Sequence, residues 1–248
     1  MTETLWTERG GAGEGLVVLL HGLGATAAVW RGVGAALAAK GLRWLAPDLR
    51  GHGRSPVGGR YGFGNHAADV SALLADEEMT RVTILGHSFG GVVGALVAGG
   101  LFGPVPARVV TLGVKQRWND DEIAGARALS LRPARTFATR DEAQERYARV
   151  AGLDGLVSVD APELAGGVRA VPGGFALAMA PGVFGAVGPS VEAILRGARA
   201  PLRMAAGSLD PMVALAEMVT IDPGAVLLDG LPHNAHVVAP DRVAALLD

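Results

Sequence analysis

The 248-residue sequence predicts an α/β architecture, a mostly parallel doubly wound sheet carrying an inserted helical cap. Three observations lead there. Apolar runs of strand length recur along the chain, segments with helical spacing separate them, and the alternation stops for one long stretch before it resumes. The runs at 16–20, 42–46, 82–85, 108–112, 201–205 and 225–228 have the length and β-branched content of strands covered on both faces, where no polar alternation is needed. Residues 27–40 carry apolar positions at helical spacing and end at Gly41. Residues 65–77 repeat the pattern with Asn65 placed as a cap. Residues 91–100 are apolar all round, as a helix buried against a sheet is.

The stretch from 116 to 197 breaks the alternation. It offers no convincing strand, but it has helical stretches at 120–131 and 140–150, the second opening on Asp141-Glu142. Its later part, rich in Gly and Pro, still holds Phe175, Leu177, Met179 and Phe184. Such a length is too great for a plain connection, and recurring apolar side chains argue against a disordered linker. The expected division is a core of residues 1–115 and 198–248 with a helical cap of 116–197.

Composition narrows the function. Lys+Arg number 22 against 24 Asp+Glu, and no basic stripe is present to neutralise a phosphate backbone, so a nucleic-acid partner is not expected. The absence of cysteine removes disulfides, thiolate metal sites and a cysteine nucleophile together. The six histidines are scattered without metal-ligand spacing, so no metal is expected either. The first residues are acidic and lack an apolar signal core, and the longest apolar run, 91–103, is well short of the roughly 20 residues of a membrane span. A soluble cytoplasmic protein with no membrane span is the resulting expectation. Composition leaves oligomeric state open.

The strongest chemical signal is Gly86-His87-Ser88-Phe89-Gly90-Gly91, with an apolar strand running in and an apolar helix running out. A serine at such a turn sits in strained backbone, and glycines two residues away on either side avoid clashes. The turn presents Oγ at the sheet edge and aims the Phe89 N–H at a developing oxyanion. His21-Gly22-Leu23-Gly24 follows the first apolar strand, and the Leu23 N–H is the candidate second donor. Trp30 is expected to pack this loop rather than touch substrate.

Over almost its full length the sequence resembles the α/β-hydrolase fold superfamily. The resemblance rests on His21-Gly22, on Asp48-Leu49-Arg50-Gly51-His52-Gly53-Arg54-Ser55, on the turn around Ser88 and on two closing elements. It implies a carboxylate after a late strand and a histidine near the C-terminus, in the order Ser, Asp, His. Asp210, in Gly207-Ser208-Leu209-Asp210-Pro211, matches the acid loop; Asp120 and Asp121 are the competitors, while Asp222 and Asp229 are expected at the surface. His233, in Leu231-Pro232-His233-Asn234-Ala235-His236, matches the base, and His236 the secondary polar position. Pro232 departs from the usual glycine, and its fixed φ is expected to bear on the imidazole's placement. The Asp48 to Ser55 segment, His21, His52, His66 and His87 are expected to be structural.

The resemblance implies a cofactor-free acyl transfer to water through Ser88, His233 and Asp210, on a small ester, lactone or thioester with a largely apolar acyl part. Carbon–carbon hydrolases, hydroxynitrile lyases, perhydrolases and acyltransferases share this residue set, and a ligand-binding receptor on the same fold is the alternative outside enzymology. In the cap, Trp118, Phe137, Met179 and Phe184 are candidate substrate contacts, although such residues also serve to hold a small helical cap together. Arg132, Arg135 and Arg140 are candidate anchors for an acidic substrate or simply a solvated helix face.

Overall fold

The computed structural model describes residues 4–188 and 190–248. Its strands and helices in chain order are β1 (Thr7–Gly10), β2 (Leu16–Leu20), α1 (Arg31–Ala39), β3 (Arg43–Pro47), α2 (Phe63–Leu73), β4 (Val82–His87), α3 (Phe89–Val97) and β5 (Arg108–Leu112). There follow α4 (Asp120–Ser130), α5 (Arg140–Val150), β6 (Val168–Val171), β7 (Gly174–Leu177) and α6 (Val191–Arg196). The chain closes with β8 (Leu202–Gly207), α7 (Leu215–Met218), β9 (Val226–Leu228), α8 (Ala235–Val238) and α9 (Pro240–Ala244).

Seven strands form one sheet in the order β1-β3-β2-β4-β5-β8-β9, parallel throughout except for β1. Burial on both faces explains why the central strands read as unbroken apolar runs. Val17 and Leu19 of β2 join a cluster with Val33 and Leu37 of α1 and Val243 of α9, whereas Leu16, Val18 and Leu20 join Val70 of α2 and Val93 and Val97 of α3. The period-2 alternation of the strand thus divides its side chains between two helical layers. From β2 the chain passes to β3 on one side, then returns to β4 on the other. At such a reversal the connections leave in opposite directions, opening a crevice beyond the carboxyl ends of β2 and β4.

Three local expectations need correction. β1 was not legible because Thr7-Glu8-Arg9-Gly10 carries no apolar signal; main-chain pairing to β3 holds it at the edge. Helix α2 starts at Phe63 after Gly62 with no side-chain cap, so Asn65 lies inside the helix rather than capping it. The stretch read as strandless contains the β6–β7 hairpin, turned by Pro172-Gly173 with Gly173 at φ 85°, the pairing a type II turn requires.

Residues 113–201 leave the sheet after β5 and return at β8, its immediate neighbour. Helices α4 and α5 each open on a capping box, Asn119 with Glu122 and Thr139 with Glu142, in which side chain and main chain satisfy each other's exposed donors. The insertion is continuous with the core: Phe137, Tyr147, Leu153 and Leu164 belong to the same apolar cluster as Val17 and Leu85. Tyr147 is buried, and its hydroxyl lies 3.3 Å from Thr26 Oγ1. Among the described residues no helix is long and apolar enough to cross a membrane, and no cluster of His, Asp or Glu is arranged to hold a metal.

Candidate active site

Strand β4 runs into Ser88 and α3 runs out. Ser88 has φ 48° and ψ −115°, and it is the one non-glycine with positive φ among the described residues. Such a conformation costs of order 1–3 kcal/mol and persists only where the surroundings impose it. They do so here. The Ser88 N–H donates to Leu112 O at 2.8 Å, and the turn is pressed so close to β2 that a Cβ on Gly90 would stand 2.2 Å from Leu20 O. A Cβ on Gly86 would stand 2.4 Å from Gly90 O, so both glycines flanking the turn are required sterically.

Ser88 opens on a cavity of about 280 Å³ at the carboxyl ends of β2, β4 and β5, partly roofed by the insertion. Leu23, Phe89 and His233 line it with Ser88. Among the described residues, the N–H groups of Leu23 and Phe89 have no hydrogen-bond partner within the chain. For Phe89 this follows from its place at the first position of a helix, whose N–H groups lack intrahelical acceptors.

His233 lies in the loop after β9, and Asp210 lies three residues beyond β8. The His233 Nδ1–H donates to Asp210 Oδ2 at 2.7 Å, while Oδ1 accepts the Met212 N–H at 2.8 Å. The Asp210 side chain is fully enclosed and that of His233 is 22% exposed. With Nδ1 as donor to the carboxylate, Nε2 is the nitrogen that carries no proton in the neutral form of the ring. Pro232 does not prevent this contact. Gly113, at φ 66°, lies so close beside the pair that a Cβ there would come within 3.1 Å of both Asp210 Oδ2 and His233 Nδ1. No hydrogen bond joins Ser88 Oγ to His233 among the described residues, a link that tightens in many hydrolytic sites only when substrate is bound.

The remaining histidines are buried and serve the loops. His21 accepts the Leu49 N–H, His52 accepts the Gly24 N–H, and His87 donates to His233 O. Burial pushes His21 down to about 4 and His236 down to about 3, and with neighbouring imidazoles it holds His52 and His87 well below the usual histidine value. Asp48 accepts the N–H groups of Ala27 and Arg54, and its carbonyl accepts the Ser55 hydroxyl, in a segment that shapes the site without entering the cavity. Trp30 is fully buried away from the cavity.

Of the candidate substrate contacts, Trp118 and Phe184 line the cavity. Phe137 and Met179 do not. Phe137 pairs with Phe175 in the core, and Met179 bridges to His52. Arg132, Arg135 and Arg140 are exposed outside the cavity, with Arg135 lying over the Phe137 ring. Asp120 and Asp121 are exposed in the first turn of α4, and the carboxylate paired with His233 is that of Asp210. Asp222, expected at the surface, is buried, and its carboxylate accepts the N–H groups of Met204 and Gly224. Sequence reasoning missed Phe63, Lys115, Arg149, Val187 and Val191 of the cavity wall, which come from separate elements and share no spacing.

A model of the alpha/beta hydrolase fold family matches residues 15–145. The putative carbamate hydrolase RutD of Variovorax paradoxus (strain S110) is 36% identical over 127 residues, covering 50% of this chain and 46% of that protein. The pimeloyl-[acyl-carrier protein] methyl ester esterase of Aeromonas hydrophila is 41% identical over 93 residues, 37% of this chain and 34% of that one. The matches thus span less than half the length of these curated relatives. The solved structure of E-2-(acetamidomethylene)succinate hydrolase superposes with a TM-score of 0.80 at 19% identity, covering 98% of this chain and 93% of that one, which is a likeness of fold.

Proposed function

The chain belongs to the α/β-hydrolase fold family, and from that premise we propose that it is a serine hydrolase cleaving a small ester, lactone or thioester beneath a cap formed by residues 116–197. The observation that carries this reading is the strained Ser88 on the cavity wall, with an Asp210-paired imidazole opening on the same cavity. Strain of that kind is maintained at a cost, and a turn that exposes Oγ while placing an unpartnered N–H beside it is suited to nucleophilic attack.

His233 Nε2 takes the Ser88 proton as Oγ bonds to the substrate's carbonyl carbon, and Asp210 stabilises the imidazolium and fixes its tautomer. The carbonyl oxygen becomes an oxyanion that accepts hydrogen bonds from the Leu23 and Phe89 N–H groups, each worth about 2.7–4 kcal/mol in the transition state. The carbon–oxygen or carbon–sulfur bond then breaks, and His233 protonates the leaving group. An acyl-Ser88 ester remains. Water, deprotonated by the same imidazole, attacks it and releases the acid and free Ser88.

Intact-mass measurement after exposure to a small fluorophosphonate tests the reading. Wild type is expected to gain one adduct, and Ser88→Ala and His233→Ala to gain none at matched times. A folded wild-type protein that remains unlabelled by a probe small enough for the cavity overturns it.

A further inference from the structure

The cavity wall is apolar over most of its extent, with Phe63, Val92, Val114, Trp118, Phe184 and Val187 facing it. Its charged lining residues are Lys115 and Arg149; none of the residues lining it is an aspartate or a glutamate. The two cations differ in availability. Lys115 is engaged, its ammonium bonded to Glu122 and lying 4.9 Å from the Trp118 ring centre. Arg149 has one ion partner among the described residues, Glu145 one turn back on α5 at 4.0 Å, and its side chain is 49% exposed. A solvated pair of that kind contributes tenths of a kcal/mol and yields readily to a better acceptor.

The main chain carrying Arg149 is held on both sides of the site. The Val150 side chain is packed against Gly24, so that a Cβ there would stand 2.7 Å from Val150 Cγ1. Asn234, next to His233, donates to Gly152 O at 2.8 Å. Tyr147 and Ala148 are buried under the same helical turn. The main chain of Arg149 is thus fastened to the loops of Leu23 and His233, while its half-exposed side chain lines the same cavity as Ser88.

We propose that Arg149 makes this an anion-selective acyl pocket, whose substrates are short esters or thioesters bearing a carboxylate at the far end of the acyl chain. The inference rests on the serine-hydrolase reading of the same cavity. The apolar walls enclose the methylene segment, the reacting carbonyl lies at Ser88, and the guanidinium receives the distal carboxylate in a bidentate charge-assisted contact that a flexible ammonium matches less well. Hydrolysis of such a hemiester breaks the acyl carbon–oxygen bond, consumes one water and yields a dicarboxylate and an alcohol. A role for Arg149 as a helix C-terminal cation predicts none of this selectivity.

The test uses the 4-nitrophenyl esters of pentanoic acid and, as the hemiester, of glutaric acid. Wild type at low salt is expected to favour the hemiester in kcat/KM by about tenfold or more, the scale of one charge-assisted hydrogen bond, and the ratio should shrink as salt rises. Arg149→Gln should bring the ratio near one and Arg149→Glu below one. A wild-type ratio at or below one, or a ratio that Arg149→Gln leaves intact, overturns the anion pocket, while turnover of the pentanoate ester leaves the hydrolase reading standing. Titration calorimetry of Ser88→Ala protein with the methyl esters of the same two acids gives a readout independent of turnover. Tighter binding of the hemiester, lost in Ser88→Ala/Arg149→Gln, supports the pocket even if wild type turns over neither ester, in which case the hydrolase reading alone falls. Equal binding of the two overturns the pocket.

Discussion

Two trios of histidines flank the strained serine, and they differ in what their rings touch. In the first trio, His21 Nδ1 donates to Gly22 O at 2.8 Å and Nε2 accepts the Leu49 N–H at 2.8 Å. His52 Nδ1 donates to Arg50 O at 3.0 Å and Nε2 accepts the Gly24 N–H at 3.1 Å, while the His66 ring lies between Gly62 O and Arg50 O. The His21 and His52 rings tie the loop after β2 to the loop after β3, and the His66 ring ties the latter to the start of α2. The second trio is a stack: His87 lies 4.5 Å from His233 and 4.4 Å from His236 between ring centres, and His236 lies 4.4 Å from Trp30. Exposure marks out one ring of the six: five are nearly inaccessible, whereas the His233 side chain is 22% exposed. His233 also differs in having a carboxylate on one nitrogen and a cavity beside the ring.

The sharpest way to break that comparison is to remove the difference. Asp210→Asn retains size and loses the charge that orients His233, and a fall in kcat of about 10³–10⁴-fold on 4-nitrophenyl pentanoate is expected. The thermal midpoint should shift little by comparison. Near wild-type turnover in this variant would remove Asp210 from the mechanism.

The first trio should answer in stability instead. His52→Leu leaves the Gly24 N–H without its acceptor in a buried loop, and His21→Leu does the same to the Leu49 N–H. An unsatisfied buried group costs about 1–3 kcal/mol, so each variant is expected to lose about 1–3 kcal/mol in urea unfolding through its one stranded N–H, because Gly22 O keeps the Ala25 N–H and Arg50 O still faces the His66 ring. Unchanged unfolding midpoints would show these rings to be passengers.

How much of this was legible in the sequence follows the same division. Strands β2, β4 and β5 were readable because burial on both faces leaves an uninterrupted apolar run, whereas β1 and the β6–β7 hairpin depend on main-chain pairing that few side chains advertise. Ser88, Asp210 and His233 could be singled out as candidates because each sits in a segment with its own local pattern and the three fall in the order the resemblance implies. The cavity wall could not. Aromatic and sulfur side chains alone chose Phe137 and Met179 along with Trp118 and Phe184, and residue type cannot say which side of a helix or hairpin faces inward. Arg149 is one of several arginines on α5, and what sets it apart from Arg140 and Arg146 is its place on the cavity wall, which sequence spacing does not show.

Acid sharpens the comparison further. The buried histidines are neutral in the folded state because burial lowers their pKa, to about 4 for His21 and about 3 for His236, against 6.5 for an ordinary histidine. Below pH 6.5 the unfolded chain takes up protons that the folded chain refuses. Stability is therefore fully present above about pH 6.5 and lost as pH falls toward the folded-state values, at about 1.4 kcal/mol per pH unit for each such histidine. Urea titrations at pH 7.5, 6 and 5 should show this decline beginning above the range where carboxylates titrate. A flat profile down to pH 5 contradicts the neutral buried state.

His236 supplies the smallest and most specific test. It is buried, and both ring nitrogens lack a hydrogen-bond partner among the described residues, so its polarity is a cost without compensation. Phenylalanine preserves a flat ring between Trp30 and His87 and removes the titrating group. At pH 7.5 His236→Phe is expected to change stability by less than about 1 kcal/mol, with loss of the unpaired polar atoms offsetting any strain from the slightly larger ring. At pH 5 the variant should stand about 2 kcal/mol further above wild type than it does at pH 7.5, because one proton no longer favours the unfolded chain across that interval. A variant that tracks wild type in parallel at both pH values would mean that His236 does not contribute to the acid sensitivity, leaving it to His21, His52, His66 and His87.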